Sequence, residues 1–301
     1  MIGASLMACN RAGKIEDTPT SGNIKISVDE AFAPIIDSHI YAFHKFYKYA
    51  KVKAAYKSES EVMKDLLQDS VRLVVLSRTL TEDEKKIFAQ QTITPRITKI
   101  AVDGVALITH PSNPDTTLNL TELRGIFSGK TTAWRQINPT SPLANITIVF
   151  DNTGSSTARY IVDSVTNKQP LPANTFAAKT NKALVDYVSQ NPNALGVIGV
   201  NWISDFDDST AIGFLRKVKV VAVSSNPDAE VTDSYVQPFQ AYLAQGTYPL
   251  RRDVYIISRE ARAGLGTGFA SFVAGDKGQR IILKSGLLPA TAPVRIISLK
   301  E

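Results

Sequence analysis

Residues 149–159 read Val-Phe-Asp-Asn-Thr-Gly-Ser-Ser-Thr-Ala-Arg and join a strand to a helix. The apolar run 146–150 predicts the strand, and apolar residues at helical spacing after Ala158 predict the helix. The first amides of such a helix have no carbonyl partners, and the helix dipole adds a partial positive charge there. The hydroxyl residues Ser155–Thr157 therefore either cap the helix, which is the commoner role, or bind a small oxyanion.

The composition is that of an ordinary globular protein. The chain has 301 residues, of which 44% are hydrophobic and 21% are charged, and this length suffices for one large domain or two lobes with separate cores. The net charge of +6 mildly favours anionic partners, but the charges are spread along the sequence. Basic and aromatic residues do not alternate, and no apolar run is long enough to cross a bilayer, so we expect neither nucleic-acid binding nor a membrane-spanning helix.

The N-terminal segment contains the only cysteine, Cys9, which excludes an intrachain disulfide. Residues 6–9 (Leu-Met-Ala-Cys) fit the small-residue pattern that is cleaved ahead of a lipid-modified cysteine. The alternative is a fortuitous cysteine in a disordered tail. Residues 10–22 are polar and contain glycine and proline, which is typical of a flexible tether. We expect residues 1–22 to be a signal remnant and lipoprotein tether that is anchored to the membrane through Cys9.

Strands and helices alternate along the rest of the chain, which is typical of sheets covered by helices on both faces. The predicted strands are 23–28, 52–56, 73–76, 97–108, 146–150, 194–200, 218–223, 254–257 and 294–297. The predicted helices are 31–49, 58–68, 81–91, 121–127, 155–166, 181–190, 264–275 and 279–284.

The long apolar stretch 97–108 is too long for one ordinary strand and is predicted to cross between two lobes. A second α/β set follows it, and the chain then returns to the first set. We expect an α/β fold with two lobes, each a sheet flanked by helices, joined by two hinge crossings. The predicted first lobe comprises residues 23–103 and 251–301, and the second lobe comprises residues 104–250.

Polar residues follow several predicted strands, where ligands bind in sheets of this kind. Arg78 directly follows an apolar strand, and its guanidinium either grips an oxyanion or pairs with an acid such as Glu82 or Asp83. Asp29 and Asp151 also lie at strand ends, where a carboxylate either shapes a turn or accepts a hydrogen bond from a protonated anion. Such an acceptor favours hydrogenphosphate over sulfate, which carries no proton at neutral pH.

The sequence carries no convincing catalytic, metal or nucleotide motif. Residues 125–131 resemble a phosphate-cradling P-loop, but they are one residue short and follow a helical segment, so we reject a nucleotide site. The three histidines are scattered, and residues 154–156 lack the spacing of a hydrolase elbow. We expect no catalytic residue, no metal and no cofactor, because a phosphatase would need a nucleophile–base pair or a metal cluster.

Several segments carry a family resemblance. Residues 120–134 contain Leu-Thr-Glu-Leu, then Ile-Phe-Ser-Gly-Lys, then Trp; residues 154–157 read Gly-Ser-Ser-Thr, and 76–78 read Leu-Ser-Arg. Segments 194–199 and 278–289 match as well. From about residue 23 to the C-terminus, the chain resembles the phosphate-specific substrate-binding proteins of ABC importers, the PstS-like family. It is most similar to a lipid-anchored subgroup.

The resemblance implies a type II periplasmic-binding fold that captures inorganic phosphate in the cleft between its lobes. We expect a monomer in the bacterial cell envelope, on the periplasmic side of the membrane, that delivers phosphate to the membrane subunits of an ABC importer. The expected ligand contacts are Glu30, Ala31, Phe32, Ser77, Arg78, Asp151, Gly154, Ser155, Ser156, Thr157 and Arg159. Among these, residues 30–32 would offer backbone amides from the first loop and helix start.

The chain departs from the family pattern around the expected ligand. Residues 29–31 read Asp-Glu-Ala where the family's first loop usually carries Ser or Thr, and Ser156 replaces the second glycine of the phosphate loop. Asp151-Asn152 replaces the Arg or acidic residues that often precede that loop. These changes are consistent with weaker affinity for phosphate or with another oxyanion as the ligand. Arg159 compensates for the missing hydroxyl donors if its side chain turns into the cleft. The alternative function is an envelope sensory or scaffold protein on the same fold that binds a different oxyanion or a protein partner.

Overall fold

The computed structural model describes residues 17–226 and 235–291. The predicted lipidation at Cys9 and the predicted strand 294–297 lie outside the described residues. The described strands are β1 (Gly22–Asp29), β2 (Ala50–Lys57), β3 (Leu73–Leu76), β4 (Arg96–Thr109), β5 (Thr117–Asn119), β6 (Thr147–Phe150), β7 (Thr175–Ala177), β8 (Ala194–Gly199), β9 (Lys219–Val220), β10 (Ala222–Ser224), β11 (Arg251–Ser258) and β12 (Leu288–Pro289).

The described α-helices are α1 (Ala33–Phe46), α2 (Glu59–Leu67), α3 (Glu82–Gln90), α4 (Leu120–Phe127), α5 (Ser156–Ser164), α6 (Asn181–Val188), α7 (Ser209–Leu215), α8 (Gln240–Gln245), α9 (Leu265–Ala274) and α10 (Asp276–Lys284). Short 3₁₀ turns cover Glu30–Phe32, Trp134–Gln136 and Val200–Trp202. The sequence pattern missed β5, β7, β12, α7 and α8, which are too short to show a clear period. It also placed the start of α10 at residue 279, whereas the helix begins at Asp276.

The main sheet has the strand order β2-β1-β3-β11-β4-β8-β6-β7, and β9 and β12 both pair with β4. At one end β1 is parallel to β2 and β3, and at the other end β6 is parallel to β7 and β8. The central strands β11 and β4 are antiparallel to their neighbours. Two parallel α/β units therefore flank an antiparallel centre.

The long strand β4 belongs to both units. Its part Arg96–Gly104 pairs with β11, and its part Val105–Thr109 pairs with β8. The chain therefore leaves the first unit within β4 and returns to it at the start of β11. On this pairing we propose the lobe boundaries given above, which within the described residues place 23–103 and 251–291 in the first lobe and 104–226 and 235–250 in the second.

Each lobe has an apolar cluster that holds its strand ends in place. In the first lobe, Leu66 of α2 and Phe88 of α3 are buried in one cluster with apolar residues of β3. In the second lobe, Phe127 and Trp134 are fully buried, and the indole Nε1 of Trp134 donates to the carbonyl of Asn193 at 3.1 Å. Because these cores are close-packed, the polar residues that follow the strands are held at defined positions.

Candidate functional site

The turn before α5 is formed by glycine and a capping serine. Ser155 Oγ accepts from the amides of Thr157 at 3.2 Å and Ala158 at 3.4 Å. Gly154 has a φ of +83°, and a Cβ atom there would lie 2.5 Å from Ser60 Oγ. Glycine is required on both counts. Ser60 lies in α2, so this turn of the second lobe is in close contact with the first lobe.

The hydroxyl groups of this turn point to Asp151. Ser155 Oγ and Thr157 Oγ1 both donate to Asp151 Oδ1, the latter at 3.2 Å. Asp151 is fully buried, and burial raises its pKa although the bond from Ser155 lowers it. The hydroxyls of Ser155 and Thr157, which the family resemblance predicts to bind a ligand, therefore donate to Asp151 within the protein.

Arg252, which the sequence analysis did not single out, joins the two lobes. Its Nε donates to Asp103 Oδ2 at 2.9 Å, and its Nη1 donates to Ser156 Oγ at 2.9 Å. Its guanidinium lies 4.9 Å from the ring centroid of Phe32. The side chain of Asp103 is fully buried, and burial raises the pKa of Asp103 although Arg252 lowers it. Arg252 thus ties β11 to β4 and to the first residue of α5.

The alternation of β11 could have revealed Arg252. Side chains at every second position of a strand share one face, and here Arg252, Val254 and Ile256 are all buried. An arginine on an otherwise apolar face is almost never buried without a partner. The pattern predicts an ion pair, although it does not identify Asp103 as the partner.

Asp29 caps the 3₁₀ turn Glu30–Phe32. Its Oδ1 accepts from the amide of Ala31 at 3.1 Å, so this amide, expected to face a ligand, is bonded within the protein. Asp29 is fully buried. Burial, followed by the charge of Glu59, raises the pKa of Asp29 to about 7.

Glu30 extends from the first lobe to the second. Its carboxylate accepts from the side-chain amide of Asn181, the first residue of α6, and from the Asn181 backbone N–H at 3.4 Å. Burial and then the charge of Asp151 raise the pKa of Glu30 to about 7. The carboxyl groups of Asp29, Glu30 and Asp151 all have raised pKa values and are therefore easier to protonate than usual.

Ser77 presents its donors to Glu59, a second residue that the sequence analysis missed. Directly after β3, the Ser77 amide and hydroxyl donate to Glu59 Oε2 at 3.3 and 2.9 Å. Glu59 is the first residue of α2, where an acidic residue is common because it complements the helix dipole. For that reason its position in the sequence gave no functional signal.

Arg78 pairs with an acid, which is one of the two alternatives stated above, but the acid is not the expected one. Its Nη1 and Nη2 each donate to one oxygen of Glu84 at 2.7 Å, and neither Glu82 nor Asp83 is its partner. Its Nε lies 3.4 Å from Glu59 Oε1. Arg78 therefore lies next to Ser77 with its strongest bonds turned to α3.

Arg159 turns into the cleft. From α5 of the second lobe, its Nε donates to Glu59 Oε1 at 2.5 Å and its Nη2 to Glu59 Oε2 at 3.1 Å. The same Nη2 donates to Ser77 Oγ at 3.0 Å. Its Nη1 faces the helix exterior and donates to Asp163 at 3.0 Å. Arg159 therefore binds the first lobe across the cleft.

Most of the expected contact residues thus fall into two groups, each around one carboxylate. Ser77, Arg78 and Arg159 surround Glu59, while Ser155 and Thr157 surround Asp151 and Ser156 contacts Arg252. Within the described residues, no group of His, Cys, Asp and Glu is placed to hold a metal ion. The same part of the chain contains no helix that is long and apolar enough to cross a membrane.

Comparison with known proteins identifies the family of this chain. The model of the PBP superfamily domain matches residues 15–277. A protein of Staphylococcus epidermidis named phosphate-binding protein PstS is 26% identical over 93% of this chain and 84% of its own length. The protein of the same name in Staphylococcus saprophyticus is 28% identical over 92% of this chain and 84% of its own length. These relatives confirm the resemblance stated from the sequence.

Solved structures agree on the fold. A substrate-binding protein assigned to a phosphate ABC transporter of Clostridium perfringens, solved with bound phosphate, superposes with a TM-score of 0.74 at 22% identity. The superposition covers 90% of this chain and all of that one. A phosphate transport receptor of Vibrio cholerae gives a TM-score of 0.66 at 21% identity over 89% of this chain and all of its own. The expected two-lobed type II α/β fold is confirmed, and the chain belongs to the PBP superfamily.

Proposed function

We propose that the protein captures inorganic phosphate between its lobes and delivers it to the membrane subunits of an ABC importer. One observation carries this proposal: Arg159 of the second lobe and Ser77 of the first donate to the same carboxylate. Donors that are divided between two bodies and converge on one point suit a small oxyanion around which the bodies close. The names of the staphylococcal relatives support phosphate as that oxyanion.

In this proposal the residues have distinct roles. Ser77, Arg78 and Arg159 donate to the anion. The hydroxyls of Ser155 and Thr157 join them once they turn from Asp151, and the Ser156 hydroxyl, which accepts from Arg252, can donate as it stands. Asp29, whose pKa is raised to about 7, accepts or supplies the proton that phosphate carries near neutral pH. Gly154 permits the close turn, and Glu30, Ala31 and Phe32 shape the opposite wall.

We further propose that the protein acts as a monomer without catalysing a reaction and that a lipid on Cys9 holds it at the cell envelope. The relatives that carry the binding-protein name support the absence of catalysis. Mass spectrometry of the protein purified from membranes tests the anchor. A diacylglyceryl mass on the peptide that begins at Cys9 is expected, and an unmodified cysteine would contradict the anchor.

Titration calorimetry on phosphate-free protein tests the capture of phosphate. We expect heat from phosphate and none from sulfate. Arg78→Ala should remove most of the binding, since the loss of a charged partner from a desolvated site costs about 2–5 kcal/mol. The control Arg280→Ala alters an arginine whose side chain is 75% exposed on α10 and should bind as the wild type does. No heat from phosphate, or full affinity in Arg78→Ala, would refute this assignment.

A further inference from the structure

Glu59 lies where the two lobes meet, and it is almost fully enclosed, with 3% of its surface exposed. Its Oε2 accepts from the Ser77 amide at 3.3 Å, the Ser77 hydroxyl at 2.9 Å and Arg159 Nη2 at 3.1 Å. Its Oε1 accepts from Arg159 Nε at 2.5 Å. One internal carboxylate therefore uses donors from both lobes.

Two guanidinium groups face this carboxylate, because Arg78 Nε also lies 3.4 Å from Oε1. Burial acts to raise the pKa of Glu59, but the bonds and charges of Arg159, Ser77 and Arg78 outweigh it, so the pKa lies below its ordinary value. Glu59 is therefore ionised at neutral pH. It supplies the negative charge that these donors require.

The same donors would suit an external oxyanion. A guanidinium forms paired hydrogen bonds with carboxylate and with phosphate alike, and the amide and hydroxyl of Ser77 add two more. Two anions at one set of donors repel each other strongly where water is excluded. Phosphate and the Glu59 carboxylate therefore cannot use this set at the same time.

We propose that Glu59 is an internal counter-anion that occupies the phosphate donors until phosphate displaces it, and that it thereby sets the affinity and selectivity of the site. This inference rests on the proposed function and names the residue that regulates it. A tethered group competes at a high effective concentration. Acetate carries the same carboxylate group as Glu59, so replacing Glu59 with acetate gains no interaction energy. The wild-type site therefore does not bind acetate. Phosphate has more charge and more oxygens, so it can also engage the turn before α5.

Glu59→Gln tests this proposal because it keeps the shape of the side chain and removes its charge. In calorimetry with inorganic phosphate, we expect the variant to bind about tenfold more tightly than the wild type. The matched control is Asp163→Asn, which removes another carboxylate that pairs with Arg159 but is 45% exposed. It should bind phosphate within about twofold of the wild type. Acetate should bind to Glu59→Gln and not to the wild type.

A second variant, Glu59→Asp, covers the case in which Glu59→Gln fails to fold. It draws the carboxylate back by one methylene group from Arg159 and should also tighten phosphate binding. Unchanged or weaker binding by a folded Glu59 variant would overturn the inference but leave phosphate capture standing if the wild type binds. Binding by the variant alone would support the counter-anion and refute capture by the wild type. Absence of binding in both proteins would refute both.

Discussion

Replacing Asp29 with asparagine should stabilise the protein, and the gain should grow with pH. Asp29 is fully buried in the cleft. Burial and then the charge of Glu59 raise its pKa from 3.8 to about 7, against the lowering effect of Arg252. Asparagine keeps an oxygen that can accept the 3.1 Å bond from the amide of Ala31. The variant therefore removes a charge with little change in shape.

The folded protein keeps Asp29 protonated in a pH range where the unfolded chain has lost the proton. The free energy of unfolding therefore falls as pH rises from 3.8 to about 7, and the cost is absent at lower pH. Each unit of pKa shift corresponds to about 1.4 kcal/mol, so the raised pKa of Asp29 lowers the free energy of unfolding by about 2 kcal/mol at pH 5.5 and by about 4 kcal/mol at pH 8. Asp29→Asn should recover most of this difference.

Urea denaturation of both proteins at pH 5.5 and pH 8 measures the effect. The stability gained by Asp29→Asn should be larger at pH 8 by about 2 kcal/mol. Asp276→Asn serves as the control, because the Asp276 side chain is 74% exposed, and it should change stability by less than about 0.5 kcal/mol at either pH. A gain that is equal at the two pH values, or a loss, would refute the assignment of Asp29 as a buried carboxyl with a raised pKa.

Three other substitutions test the cleft. Arg252→Met leaves the buried Asp103 without its partner and should lower the free energy of unfolding, measured by urea denaturation, by about 3–5 kcal/mol. Adding Asp103→Asn should restore part of this loss, and a loss below about 1 kcal/mol in Arg252→Met would contradict the buried pair. Gly154→Ala combines a φ of +83° with a contact 2.5 Å from Ser60 Oγ and should cost about 1–3 kcal/mol; an unchanged melting temperature would argue against this close approach. Arg159→Ala removes the donors that cross the cleft and should weaken phosphate binding in calorimetry by about tenfold or more, whereas wild-type affinity would exclude Arg159 from the site.

Much of the α/β architecture followed from local patterns. Buried strands such as β3 and β6 read as short apolar runs, and helices such as α5 showed apolar residues at helical spacing. The turn at Gly154 and Ser155 was also readable, because positive φ and helix capping restrict the residue types at single positions. The long apolar run gave the crossing strand β4.

The partners of the charged groups were not readable. Arg159 and Glu59 are 100 positions apart, and Arg252 and Asp103 are 149 apart, so no period or spacing connects them. The sequence left open whether Arg78 binds an anion or pairs with an acid, and it did not identify Glu84 as the acid.

Local patterns were enough to place the main strands and helices in order, to indicate two lobes and to mark the turn before α5 as a helix start rich in hydroxyl groups. Contacts between distant parts of the chain were needed to show that Glu59 and Asp151 accept from Ser77 and Ser155 and that Arg252 lies buried between the lobes. Backbone geometry imposes local periods on a sequence, whereas an ion pair depends on which distant side chains the packed lobes bring within a few ångströms of each other.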